Sequence, residues 1–433
     1  MKKVAAKTQK KLPPVAPVEM VRARVRACHE ISYGYRIEVV LADGRKAWFT
    51  HRDSYRLSSV IGVRVLAEAE PGVFLVEPMG DFDKPQRVDE QVREFLRRIP
   101  KTEIHLHVEG AVRKSTLLAL AQSHGSKTLR TMDDVDQLFR FTNLGEFIQV
   151  FIATQDNIQK IGDFELLFDD LAHYLVGNRI VYSEVFLAIS RFMQKGFQYP
   201  DLVNVFAKKI KSFEKKTGYH VRILIDVGRT FGPESAKANL DRVLAYPHEY
   251  VIGIGLGGDE KKGPAPLVRD IFARARQAGL RVVAHAGEDV GPESIRDALL
   301  ELKAERIGHG IAAIEDPALI KKLAEDRTPL EISLTSNVFT GRYTRSHDAH
   351  PVQTFFPAGV LISVNSDDPT LFDTDLSTEY WYFYEKLGFT VADLMKMLED
   401  GVAATFHPRK DELWNFLRDE VERERKRFPL VLF

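Results

Sequence analysis

The stretch RVVAHAGEDVGPESIRDALLELKAERIGHG, residues 281–310, decides the fold. It opens on an apolar run, RVVAHAG, passes through a helical pattern and closes on a second short run, RIGHG. A strand with little polar alternation, then a helix, then another such strand, reads as a parallel βαβ unit whose sheet is covered by helices. Working outward, runs of the same kind recur at EIHLH (103–107), VYSEVFL (181–187), VRILIDV (221–227), VIGIGLG (251–257), LEISLTSN (330–337) and LISVNSDD (361–368). Helical patterns such as PLVRDIFARARQAG and PALIKKLAED lie between them. Eight runs over about 270 residues fit an α/β fold of the (β/α)8 TIM-type barrel class, with an open doubly wound sheet as the alternative. The long first gap, roughly 115–178, is helical and is placed to lie over the barrel mouth.

Upstream, residues 1–18 hold five lysines and three prolines without amphipathic period, as a flexible basic tail does. Residues 19–90 are β-rich, with turn signals at Asp43-Gly44 and Pro71-Gly72. They read as a small N-terminal domain of unassigned role or as an edge extension of the barrel, which itself takes 91–433. The segment VDEQVREFLRRIP predicts a helix carrying Phe95 and Leu96 and stopped by Pro100.

Composition narrows the function classes. Sixty-one Lys plus Arg balance sixty-one Asp plus Glu, which argues against a nucleic-acid-tracking surface. A single cysteine, Cys28, excludes an internal disulfide and cysteine-rich zinc modules, and the sequence has no Asn-x-Ser/Thr site. No apolar run reaches the roughly 18 residues needed to span a bilayer, and the basic start lacks the apolar stretch of a signal peptide. The expectation is a cytoplasmic protein with a small-molecule substrate, no nucleic-acid or membrane partner, and self-association through the β-rich domain as an open option.

The polar residues gather where the predicted strands end, which is where a barrel of this class keeps its chemistry. His105 and His107 stand two apart on one strand and so share a face. His285 ends the fifth strand, His309 the sixth, and Asp367-Asp368 the eighth. Histidines plus a carboxylate, with no thiolate available, suit Zn²⁺ with a position left for water. Glu288 follows His285 by three residues, either facing the same cavity as a proton carrier or serving as an N-terminal charge on the helix that follows. Two decoys fall away. Gly253, Gly255 and Gly258 satisfy G-x-G-x-x-G, but Pro264 and Pro266 stand where a dinucleotide-binding helix opens, so these glycines are expected to let a flat substrate lie against backbone. His107-x-Glu109 matches half of a nucleobase-editor zinc signature whose P-C-x-x-C half is absent.

Taken together, HLHVEGA (105–111), GLGGDE (255–260), VAHAGED (283–289), RIGHG (306–310), LTSN (334–337) and NSDDP (365–369) resemble the adenosine deaminase family over nearly all of residues 100–410. The resemblance implies hydrolytic removal of ammonia from purine C6, with adenosine and 2′-deoxyadenosine as expected substrates and adenine or aminofutalosine as alternatives. It implies one Zn²⁺ on His105, His107, His285 and Asp367. Glu288 would protonate ring N1, His309 would orient or deprotonate the attacking water, Asp368 would meet N7, and the Gly258 amide would meet N3. Glu109 stands where adenosine enzymes usually carry Asp for the ribose 5′-hydroxyl, and Glu at that place is common among relatives acting on adenine or aminofutalosine. Phe186 stands where many members have Arg. Phe147 and Phe151, on one helical face with Val150, either pack in the core or form an apolar lid over the base. A different metal hydrolase or a binding protein that has lost catalysis is the remaining reading.

Overall fold

The computed structural model describes residues 86–429 and Val431, with side chains from residue 88, and the backbone of five strands between residues 20 and 78. The basic tail and the turns at Asp43-Gly44 and Pro71-Gly72 lie outside the described residues. The chain divides into two compact units, the second beginning at Val92. In the first unit, β1 (Met20–Ile31), β2 (Gly34–Leu41), β3 (Lys46–His51), β4 (Val60–Glu70) and β5 (Val73–Pro78) close on themselves in the order β1-β2-β3-β5-β4. Among the described residues of this unit, β3 and β5 pair in parallel and the other neighbours antiparallel.

The second unit is an eight-stranded parallel sheet: β6 (Lys101–His107), β7 (Ile180–Ala188), β8 (His220–Asp226), β9 (Val251–Leu256), β10 (Arg281–Ala286), β11 (Arg306–His309), β12 (Leu330–Ile332) and β13 (Ile362–Val364). Each strand pairs with its sequence neighbours, and helices fill the connections. This is the TIM-type architecture. Every residue of β6 is buried, as a strand covered on both faces must be. Outer helices present the matching stripe: on Tyr199–Thr217, Leu202, Phe206, Ile210 and Phe213 are buried, each large side chain contributing roughly 1.5–3 kcal/mol. The helix Gln86–Arg98 buries Phe95 and Leu96 and stops before Pro100, as its sequence predicts.

The first and last strands meet through a short seam instead of a regular ladder. Asn365 Oδ1 accepts the Ile104 and His105 amides at 3.0 and 3.1 Å. Beyond it the His107 amide donates to Asp367 O at 2.9 Å and the Asp367 amide to His105 O at 3.2 Å. The barrel therefore closes at its catalytic end.

The last two predicted strands are shorter than expected. LTSN is helical, not extended: the helix Leu334–Thr340 starts after Ser333, whose carbonyl accepts the Asn337 amide at 3.0 Å. The last strand ends at Val364, and of NSDD only Asp367, at φ +66°, returns to the sheet as a single bridge opposite Leu106. The expected insertion consists of the helices Lys114–Ser123, Met132–Leu138, Leu144–Asp156 and Asp163–Gly177, the third of which reaches the barrel mouth.

Candidate active site

The strand ends bring the expected residues together. His107 Nε2 lies 3.2 Å from His285 Nε2 and 3.4 Å from Asp367 Oδ1, and His105 Nε2 lies 3.3 Å from the same Asp367 oxygen. These separations match the edges of a zinc coordination tetrahedron, ~3.3 Å for ligand bonds of ~2.05 Å. Two imidazole Nε2 atoms facing each other need an electron-poor partner between them. Each of the four histidines also keeps a buried nitrogen with no hydrogen-bond partner: His105 Nε2, His107 Nδ1, His285 Nδ1 and His309 Nε2. The groups His105, His285, His309, Asp367 and His107, Asp367, Asp368 each place their donor atoms within 4.8 Å of one another. The donor set fits a divalent metal.

Side chains behind the ligands set their orientation. His105 Nδ1 bonds Glu331 Oε2 at 2.7 Å, which leaves Nε2 to face the site. Glu331 in turn accepts from Arg306 Nε at 2.5 Å, and Arg306 NH1 donates to Glu184 at 2.5 Å while its guanidinium lies 4.0 Å from the centre of the Phe406 ring. Burial works against a charge on His105, but the Asp367 and Glu331 carboxylates beside it push its pKa up to about 10. His105 is thus disposed to hold positive charge, whereas burial lowers His107 and His285 and favours their neutral rings. Phe186 forms the apolar floor, stacked on His107 at 5.1 Å and edge-on to His105 at 5.1 Å. Gly255 permits this, since a Cβ there would meet Phe186 at 2.5 Å. The glycines of VIGIGLGG were expected as a group to face substrate. Gly253 and Gly255 instead admit neighbouring backbone and Phe186, and Gly257 and Gly258 line the cavity.

Glu288 sits in the cavity wall and caps no helix; the next helix starts at Pro292 without a side-chain cap. Its turn is held by Glu260, which accepts the amides of Gly287, Glu288, Asp289 and Val290 at 2.5, 3.2, 2.8 and 2.9 Å. Burial, and then the nearby Asp367 carboxylate, push Glu288 well above the carboxylate range, so it carries a proton to give. Burial and Asp367 likewise push Asp368 up, and a Cβ at position 110 would fall 2.1 Å from its Oδ1, which explains the glycine there. His309 and Asp367 both hold left-handed backbone, φ +62° and +66°, a strain that proteins keep at functional positions.

The cavity has an empty volume of about 680 Å³, mouth included. Leu144, Phe147, Ile148, Phe151 and Ile152 form an apolar wall, and its charged lining is confined to carboxylates and histidines, with no Lys or Arg. Phe147 and Phe151 serve both roles considered: they line the cavity, and they pack against the cluster of Phe141, Val150, Leu371 and Phe372. Glu109 differs from expectation. It is not among the side chains lining the cavity: its Oε1 accepts from Gln155 Nε2 at 3.0 Å and from the Ala188 amide at 3.1 Å, its Oε2 is buried without a partner, and Gln155 lines the cavity. The extra carboxylate in the cavity is Asp226, whose Oδ1 is fixed by the Gly228 and Gly257 amides at 2.8 and 2.9 Å.

Residues 100–424 match the family model described as adenosine deaminase. The chain belongs to the adenosine deaminase family. An aminodeoxyfutalosine deaminase from Streptomyces avermitilis is 36% identical over 318 residues, covering 72% of this chain and 88% of the relative. An adenine deaminase from Agrobacterium fabrum is 33% identical over 306 residues, covering 71% and 93%. A zinc-bound amidohydrolase from Burkholderia ambifaria shares the fold, with a TM-score of 0.74 at 24% identity, over 78% of this chain and 95% of that one. As a member of the adenosine deaminase family the chain is a metal-dependent hydrolase that cleaves a C–N bond, and it contains a His and Asp cluster able to hold a metal ion. No helix among the described residues is long and apolar enough to cross a membrane.

Proposed function

We propose that this deaminase acts on a 6-aminopurine that carries no phosphate, aminodeoxyfutalosine first and free adenine second, in preference to adenosine. The observation that carries the reading is the lining of the cavity: a broad apolar wall, four carboxylates and no cation. The lining offers a phosphate no Lys or Arg partner, which disfavours AMP. Identity to the Streptomyces enzyme supports a nucleoside bearing a bulky 5′ group, for which the wall of Leu144, Phe147, Ile148, Phe151 and Ile152 offers an apolar surface. Identity to the Agrobacterium enzyme supports adenine as the second reading.

His105, His107, His285 and Asp367 would hold the zinc. Bound there, the ion supplies a water activated toward hydroxide near neutral pH. Glu288 delivers its proton to ring N1 as C6 is attacked, Asp368 faces N7, and the Gly258 amide offers its hydrogen to N3. Phe147 and Phe151 cover the base and exclude bulk water. Phe151 lies edge-on to His107, 5.8 Å between ring centres, so it spans base and ligand shell. Phe151→Ala is expected to raise KM about tenfold with a smaller effect on kcat, since it removes binding shared by ground and transition states. An unchanged KM in steady-state kinetics would remove the lid from the account.

The substrate reading is tested by ammonia release from aminodeoxyfutalosine, adenine, adenosine and AMP with the zinc-loaded full chain. Aminodeoxyfutalosine or adenine is expected to exceed adenosine by about tenfold or more in kcat/KM, with AMP last. Preference for adenosine or AMP would overturn it.

A further inference from the structure

One chain of hydrogen bonds behind the site has its polarity fixed from one end. The Val352 amide, which can only donate, points at His350 Nδ1 at 3.1 Å. That nitrogen must accept, so in the neutral ring the proton sits on Nε2, which faces Asn337 Oδ1 at 3.1 Å. The Asn337 amide oxygen is thereby occupied as an acceptor, and its Nδ2 donates to His309 Nδ1 at 3.0 Å. His309 Nδ1 must then accept in turn. The only place left for the proton of a neutral His309 is Nε2, the nitrogen that faces the catalytic cavity and lies 3.6 Å from Glu288 Oε2 and 3.9 Å from Asp367 Oδ2. His309, Asn337 and His350 are all buried, so no solvent water competes for these bonds. Flipping the Asn337 amide would put its NH₂ against the His350 N–H, so the chain has a single consistent polarity.

We infer that His350 and Asn337 are positioning residues that lock His309 in its Nε2–H tautomer. His309 then donates a hydrogen bond to the reacting oxygen, and it neither ligates the metal nor accepts a proton through Nε2. This separates it from His105 and His285, with which it shares the cluster of donor atoms. It also chooses between the two roles that the family resemblance left to His309: it orients the water and does not deprotonate it. The strained backbone at His309, φ +62°, holds the ring between Asn337 and the cavity.

The inference rests on the deaminase reading for its consequence but not for its central observation. Long-range ¹⁵N–¹H spectra of the zinc-loaded full chain, with the His309 signals assigned by their loss in His309→Asn, should show a protonated Nε2 and a bare Nδ1. A protonated Nδ1 would overturn the inference, even if no purine were turned over. Asn337→Asp keeps the shape but offers only acceptors, so it should draw the His309 proton to Nδ1. It should cut kcat by about 100-fold or more, with KM within about threefold and zinc affinity not weakened. His350→Gln, whose amide can still donate to Asn337, should keep kcat within about fivefold, whereas His350→Ala should not. Wild-type turnover in Asn337→Asp, or equal losses in His350→Gln and His350→Ala, would reduce these residues to packing.

Discussion

Glu288→Gln is expected to lose about 10²- to 10⁴-fold in turnover while its zinc content stays at the wild-type level. The substitution is nearly isosteric and leaves intact the Glu260 bonds to the amides of Gly287, Asp289 and Val290, so the turn keeps its place. What it removes is the proton. Burial and the neighbouring Asp367 favour the protonated form of the Glu288 carboxyl, and an amide at the same point has no acidic hydrogen to deliver to the ring. KM should change little, because the hydrogen bond from an amide to ring nitrogen remains possible. Metal analysis alongside ammonia-release kinetics checks the claim. A variant that loses zinc would mark Glu288 as a ligand, and one that keeps its turnover would remove it from the proton path.

The second large effect is on the metal. His105→Ala is expected to lose both zinc and activity, and Glu331→Gln to weaken zinc binding about 10- to 100-fold while the chain stays folded. His105 is the imidazole that bridges Asp367 on one side and Glu331 on the other, at 3.3 and 2.7 Å. Deleting it leaves those buried carboxylates facing a gap, a loss of roughly 3–5 kcal/mol, and a lower Tm should accompany the loss of metal. Zinc titration monitored with a competing chelator separates the two variants. Tight zinc binding by His105→Ala would mean that His309 or Asp368 completes the ligand set instead.

The local parts of this site were legible in the sequence. Strand ends carrying His105, His107, His285, His309 and Asp367-Asp368 could be read from apolar runs and from the two-residue period of a strand, and the resemblance added roles. What could not be read was the shell behind them. Glu331 and Arg306 act on His105 across more than 200 residues of chain, and a lone Glu or Arg within an apolar run carries no local signal of its partner. Glu260 stood inside the quoted GLGGDE, yet only the folded turn shows that its carboxylate gathers the amides of the segment carrying Glu288. LTSN was misread as strand because three small polar residues give no period, and on the helix Asn337 reaches both His309 and His350. Phe186 had no account until its ring was found beneath two imidazoles. For Glu109 the motif pointed to the substrate, and the fold adds what no local pattern could, that Gln155 and the Ala188 amide hold one of its two oxygens.

The seam between β6 and β13 gives the metal a second consequence. The residues that close the barrel there, His105, His107 and Asp367, are also three of the four assigned ligands, so an ion bound among them clips the first strand of the barrel to the last across some 260 positions of sequence. Cofactor loading and folding are then linked equilibria: every tenfold rise in free zinc above its dissociation constant adds about 1.4 kcal/mol to the apparent stability of the closed form. Chelation should therefore lower the apparent stability of the closed barrel, with the seam hydrogen bonds of Asn365, His107 and Asp367 left to hold the join.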